Sequence, residues 1–175
     1  CAAWHEADQL SALGKRLPKY TPDKNRHVVY VHGGLCRGVL ICSELTNIRN
    51  RALFQGKVDA LFIPEWNSDL ESFGTLVEAS ALDVHCYLAQ ANNRRYGDSR
   101  MRAPFKVPHK RDVIRLKGGE NDYFVVGTID YMQLRRFQSF AVPPMGPNAV
   151  FKPFPLGFPR RLSGRRRVIP MSEKS

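Results

Sequence analysis

A cysteine stands where an apolar run gives way to a helical pattern, in Arg37-Gly38-Val39-Leu40-Ile41-Cys42-Ser43-Glu44-Leu45. A thiol carried by a buried strand to the first turn of a helix is held rigidly. Backbone N–H groups of that turn can lower its pKa and bind a developing oxyanion. This is how a nucleophile is held for acyl transfer. A packed structural cysteine is the plainer alternative, since cysteine is among the most buried residue types. Other polar residues end neighbouring apolar runs: Glu65 and Trp66 follow Ala60-Leu61-Phe62-Ile63-Pro64, and Asn92 follows the run 84–91. Carboxyl ends of strands in α/β folds commonly line a pocket. Glu65 could orient a substrate amine or remain a solvated or capping glutamate, and Asn92 could donate to a substrate or close a turn. Glu44 suits the first turn of its helix, where a carboxylate favours the dipole.

The elements that would position these residues follow from periodicity. β-Branched, aromatic and continuous apolar runs predict strands over 27–32, 35–42, 60–63, 84–91, 111–116 and 123–129. Gly33-Gly34 and Gly118-Gly119 supply turns, and 97–100 reads as a loop. Apolar residues spaced by three and four predict helices over 43–54 and 69–83, and Asp130 caps a third over 131–137. Strand–helix–strand–helix–strand followed by a hairpin makes an α/β layered fold with a mixed sheet.

Charge and composition bound the remainder. The chain has 175 residues with a formal net charge of +11. Residues 141–175 carry seven Lys/Arg against one acid and seven of the twelve prolines. We therefore divide the chain into a folded part, 1–140, and a basic Pro/Arg-rich arm, 141–175, expected to be extended and to stay out of the core. Arg160, Arg161, Arg165, Arg166 and Arg167 could bind phosphates or an acidic partner, or stay solvated. Four cysteines without a CxxC pair suggest neither a zinc site nor a disulfide framework, hence a reducing, cytoplasmic setting. His27, His32 and His85 lack metal-ligand spacing and read as structural, so no metal and no cofactor are expected. No apolar run is long enough to span a bilayer. A first residue of Cys rather than Met is read as the start of a piece of something longer.

Taken in order, the motifs resemble the carbon–nitrogen hydrolase (nitrilase/amidase) superfamily over about residues 1–138. The segment Lys15-Arg16-Leu17-Pro18 precedes the Ile-Cys-x-Glu-Leu corner, then come DALFIPEWN, TLVEASALDVHCYLAQANN, Gly97-Asp98-Ser99, and Ile129-Asp130 with Leu134-Arg135. The wording KRLP, ICSEL, PEWN, ANNRxYGDSR and KRDVIRxKGG looks most like the nitrilase-like domain fused to certain bacterial reverse transcriptases of antiviral defence.

The resemblance implies an α-β-β-α sandwich, the N-terminal part of which is missing from these residues. It implies Cys42 as nucleophile towards a small amide or nitrile. Lys15 would stabilise the tetrahedral intermediate together with the Ser43 backbone N–H, with Lys19 as the fallback. It implies a homo-oligomer through a two-fold interface and, with a linked polymerase module, contact with nucleic acid. One departure stands out. The family's general-base glutamate lies ahead of its lysine in a strand unit, and here Glu6 is the only glutamate before Lys15, too close to it to serve. Either the base lies outside these residues, or it is lost and the fold is a scaffold for oligomerisation and nucleic-acid binding.

Overall fold

The computed structural model describes residues 28–119, 124–160 and 162. Its fold is a mixed α/β arrangement around a six-stranded sheet whose strands follow one another in chain order. Strands β1 (Tyr30–His32) and β2 (Leu35–Val39) are antiparallel across Gly33 and Gly34. Both glycines have positive φ, +55° and +77°, the backbone that a two-residue primed hairpin turn demands. Strands β3 (Ala60–Glu65) and β4 (Tyr87–Asn92) continue parallel to β2, and β5 (Ser99–Arg102) and β6 (Asp112–Leu116) complete the sheet antiparallel.

Helices cover both faces, so the parallel centre is apolar on both sides. Helix α1 (Ile48–Ala52) is short, and α2 (Leu70–Asp83) starts at Asp69, whose side chain accepts from the Ser72 N–H at 3.2 Å. Phe73, Val77 and Ala81 of α2 pack with Leu61, Ile63 and Leu88 of the sheet and with Leu40, Leu45 and Phe54. Alternate residues of the same strands, Ala60 and Tyr87, turn to the opposite face. There they meet Leu134 and Phe137 of α3 (Tyr131–Gln138), capped by Asp130, which accepts from the Gln133 N–H at 2.8 Å.

Several expectations are corrected. The helix over 43–54 divides into a 3-10 turn, Cys42–Thr46, and α1, because Asn47 adopts extended backbone and uses its side chain to accept from the Arg49 N–H. The strand over 84–91 starts only at Tyr87, after a turn in which His85 has φ +56°. The loop over 97–100 contains β5, whose inward residues are arginines: Arg100 and Arg102 are buried beneath α2. No strand forms over the described residues 124–129, and Phe124 is 90% exposed, with no strand among the described residues to pair with. Finally, the segment after residue 141 enters the core. Phe151 is fully buried and bridges to Phe105, and Phe137, Phe151, Phe154 and Phe158 surround the His85 ring. Proline content concealed this aromatic spacing. His85 itself is structural, its Nε2 lying 2.7 Å from the Lys152 carbonyl oxygen.

The amino ends of the central strands are tied by Asp59, wholly buried. It accepts from the Cys36 N–H at 2.7 Å and from Arg135 Nε at 2.8 Å, and pairs with Arg135 Nη2 as well. Burial works against the Arg135 charge, but the hydrogen bonds and charge of Asp59 more than offset it and hold the guanidinium pKa above its ordinary value. Breaking such a pair leaves an uncompensated buried charge. Asp59→Ala is therefore expected to lower stability in urea denaturation by about 3–5 kcal/mol. A loss below about 1 kcal/mol, the worth of an exposed pair, would show that the bridge contributes little.

Candidate functional site

The corner around Cys42 is set by where β2 stops. The Leu40 N–H donates to the Phe62 carbonyl at 3.0 Å, the last rung between β2 and β3. By the period of two, Pro64 presents its bonding edge to the same side, but proline has no N–H to offer. The two chains part at this point. Cys42 then takes φ +45°, a left-handed backbone that costs a non-glycine residue about 1–3 kcal/mol. Surrounding contacts hold it there: Leu40 and Leu45 are fully buried, the Ile41 N–H donates to Glu44 Oε2 at 2.8 Å, and the Glu44 N–H donates to the Ile41 carbonyl at 2.9 Å. Glu44 thus serves the turn, as its position suggests. A strained strand-to-helix corner is the way α/β hydrolases present a nucleophile.

Cys42 is only 1% exposed, and its sulfur is disulfide-bonded. Cys36 and Cys86 are buried thiols. This corrects the expectation of a chain without disulfides, since cysteine pairing is not legible from spacing. Only as the reduced thiolate could Cys42 attack a carbon. Ser43, next in sequence, is exposed.

Glu65 and Trp66 stand at the end of β3, the strand beside that corner. Trp66 is half exposed. Glu65 Oε1 accepts from Gln90 Nε2 at 2.6 Å, while its Oε2 is buried without a hydrogen-bond partner. Burial raises its pKa above the usual carboxylate value, the Gln90 hydrogen bond and the Arg100 charge opposing that rise. The Asn92 side chain is fully engaged: its Oδ1 accepts from the N–H groups of Asn67 and Asn93, and its Nδ2 donates to the carbonyls of Asn67 and Gly97. That is the turn-closing alternative. Arg160 donates to the Ala141 carbonyl. Lys15, Lys19, Arg161, Arg165, Arg166 and Arg167 lie outside the described residues. No group of three His, Cys, Asp or Glu side chains placed to hold a metal, and no helix long and apolar enough to cross a membrane, occurs among the described residues.

No protein-family model and no curated protein matches the sequence. Among solved structures, the chain is similar to a CN-hydrolase superfamily protein of Xanthomonas campestris with an arsenic adduct in its active site, at 16% identity and a TM-score of 0.49. The match covers 65% of this chain and 47% of that one. A nitrilase-superfamily amidase of Nesterenkonia matches at 18% identity and TM-score 0.47, over 57% of this chain and 40% of its own. Nit3 of Saccharomyces cerevisiae, from the nitrilase superfamily, matches at 19% and 0.45, over 57% and 39%. The chain thus spans less than half the length of these proteins.

The Glu65 environment gives a pH dependence. Its folded pKa is raised, so the native state holds the proton where the unfolded chain has released it. Stability from this group is complete below the ordinary glutamate value of 4.5 and is lost as pH rises through the folded pKa. Glu65→Gln removes the charge and sets an amide N–H against the unsatisfied Gln90 Oε1. In urea titrations the variant is expected to match the native protein near pH 4 and exceed it near pH 7 by about 1 kcal/mol. A pH-independent difference would contradict this assignment.

Proposed function

We propose that this chain forms part of a nitrilase/amidase-like C–N hydrolase domain with Cys42 as nucleophile. The observation that carries the reading is the left-handed backbone of Cys42 at the fork between β2 and β3. Strain of about 1–3 kcal/mol persists only where the surroundings impose it, and such residues cluster at reacting centres. The motif order from Lys15 to Arg135 supports the same conclusion.

In this mechanism the Cys42 thiolate attacks the carbon of a small amide. The C–S bond forms as the carbonyl π electrons move to oxygen, and the Ser43 backbone N–H with the Lys15 ammonium stabilises the oxyanion. Collapse breaks the C–N bond, the amine leaves with a proton, and a thioester remains. Water then cleaves the thioester, releasing the acid and restoring the thiol. The general base that moves these protons is assigned to no residue of this chain. The shared wording KRLP, ICSEL and PEWN supports a place for the domain in a cytoplasmic, oligomeric antiviral reverse transcriptase protein, whose arm residues Arg160, Arg161, Arg165, Arg166 and Arg167 contact nucleic acid. A second reading, a non-catalytic scaffold for oligomerisation and nucleic-acid binding, is favoured by the near-complete burial and the disulfide of Cys42.

Labelling separates the two. After reduction with dithiothreitol, Cys42 of the whole protein is expected to react with iodoacetamide at neutral pH well ahead of Cys36 and Cys86. Cys42→Ala should lower amide hydrolysis by about a thousandfold or more while leaving the fold intact. Equal labelling of the three cysteines, or biological activity undiminished in the Cys42→Ala protein, would leave the scaffold.

A further inference from the structure

His85 is wholly buried in the turn before β4. Its ring is enclosed by Phe137 of α3 and by Phe151, Phe154 and Phe158 of the segment 150–158, with ring centroids 5.8 to 6.5 Å away. That segment is strapped to the chain beyond β5 by two backbone bonds. The Lys106 N–H donates to the Val150 carbonyl and the Lys152 N–H to the Pro104 carbonyl, both at 2.9 Å.

Two carbonyls settle where the ring carries its proton, because a carbonyl oxygen only accepts. The Lys152 oxygen, 2.7 Å from Nε2, requires Nε2–H. The His85 carbonyl oxygen lies 2.6 Å from one end of the Gln138 amide, so that end is the NH2 group. The same NH2 group stands 3.2 Å from Nδ1, which must therefore be a bare lone pair. The ring is neutral and both of its nitrogens are used. A proton added to Nδ1 would meet the Gln138 N–H head-on inside an aromatic enclosure, where an unmet donor and a charge are both costly. Turning the Gln138 amide over gives no escape, since its oxygen would then face the His85 carbonyl oxygen.

The titratable groups on the described elements around the ring do not offer that proton a partner. Tyr87 donates to the Asp130 carbonyl, Arg135 is paired with Asp59, and Cys86 is a buried thiol. Asp83, Arg136, Lys152 and Arg160 are exposed.

We propose that neutral His85 is a pH-sensitive latch for the segment 150–158, which is released when the ring takes up a proton. The docked state excludes the second proton, whereas the released ring binds it at the ordinary histidine value of about 6.5. Docking is therefore complete above that value and is lost as pH falls below it. The proposal is independent of the thiol chemistry at Cys42.

Amide hydrogen exchange in the whole protein tests it, through the Lys106 and Lys152 N–H groups that docking covers. Linkage to one proton makes their protection factors fall about tenfold between pH 7.5 and pH 5.5. Those of Phe62 and Ala89, in the paired centre of the sheet, are expected to hold. His85→Asn keeps a residue that tolerates the left-handed turn and does not titrate, so its protection should be the same at both pH values. Gln138→Glu gives Nδ1–H an acceptor and should remove most of the fall. Unchanged protection in the native protein, a fall that persists in His85→Asn or undiminished in Gln138→Glu, or a parallel loss at Phe62 and Ala89 would each overturn the assignment.

Discussion

Asp59 joins four pieces of chain, β2, β3, β4 and α3, at one buried residue. Its carboxylate accepts from the Cys36 N–H at the start of β2 and holds Arg135 from α3, while its own N–H and C=O bond to Cys36 and Tyr87. Arg135 in turn reaches the Gly34 carbonyl at 2.6 Å, beside the turn that closes β1 onto β2. A pair of this kind supplies position more than net energy, because desolvation consumes most of the Coulomb gain. Once the amino ends of β2, β3 and β4 are aligned by this bridge, their carboxyl ends are aligned as well. Cys42, Glu65 and Asn92 therefore arrive at one edge of the sheet.

The two ends of the sheet use polar groups differently. At the amino end both carboxylate oxygens of Asp59 are bonded. At the carboxyl end Cys42 sits in a left-handed conformation, and Glu65 Oε2 and Gln90 Oε1 are buried without partners. Natural sequences break local rules mainly where function compensates.

The central strands and the two main helices were legible from their apolar residues. Ala60 to Ile63 form a continuous apolar run, as a strand buried on both faces requires, and Phe73, Val77 and Ala81 recur at helical spacing. β5 was not, since its inward positions are Arg100 and Arg102, the reverse of the expected pattern; an alternation of Ser-Arg-Met-Arg was the only signal. Asn47 divided a helix through a side-chain bond that competes with the helical one. Residues 124–129 have the composition of a strand but no neighbour among the described residues to pair with, and pairing is a tertiary matter. Of the site, the cysteine corner and the strand-end position of Glu65 were readable; the engaged amide of Asn92 depends on Asn67, distant in sequence, and the disulfide of Cys42 on a pairing that spacing does not reveal.

Pro64 carries a consequence for how such a molecule can change. Because the parting of β2 from β3 beyond Leu40 originates in a ring nitrogen that bears no hydrogen, it does not rely on bulky groups wedging two strands apart. Drift among the surrounding residues can repack that fork, and the ladder will still be unable to zip shut across it.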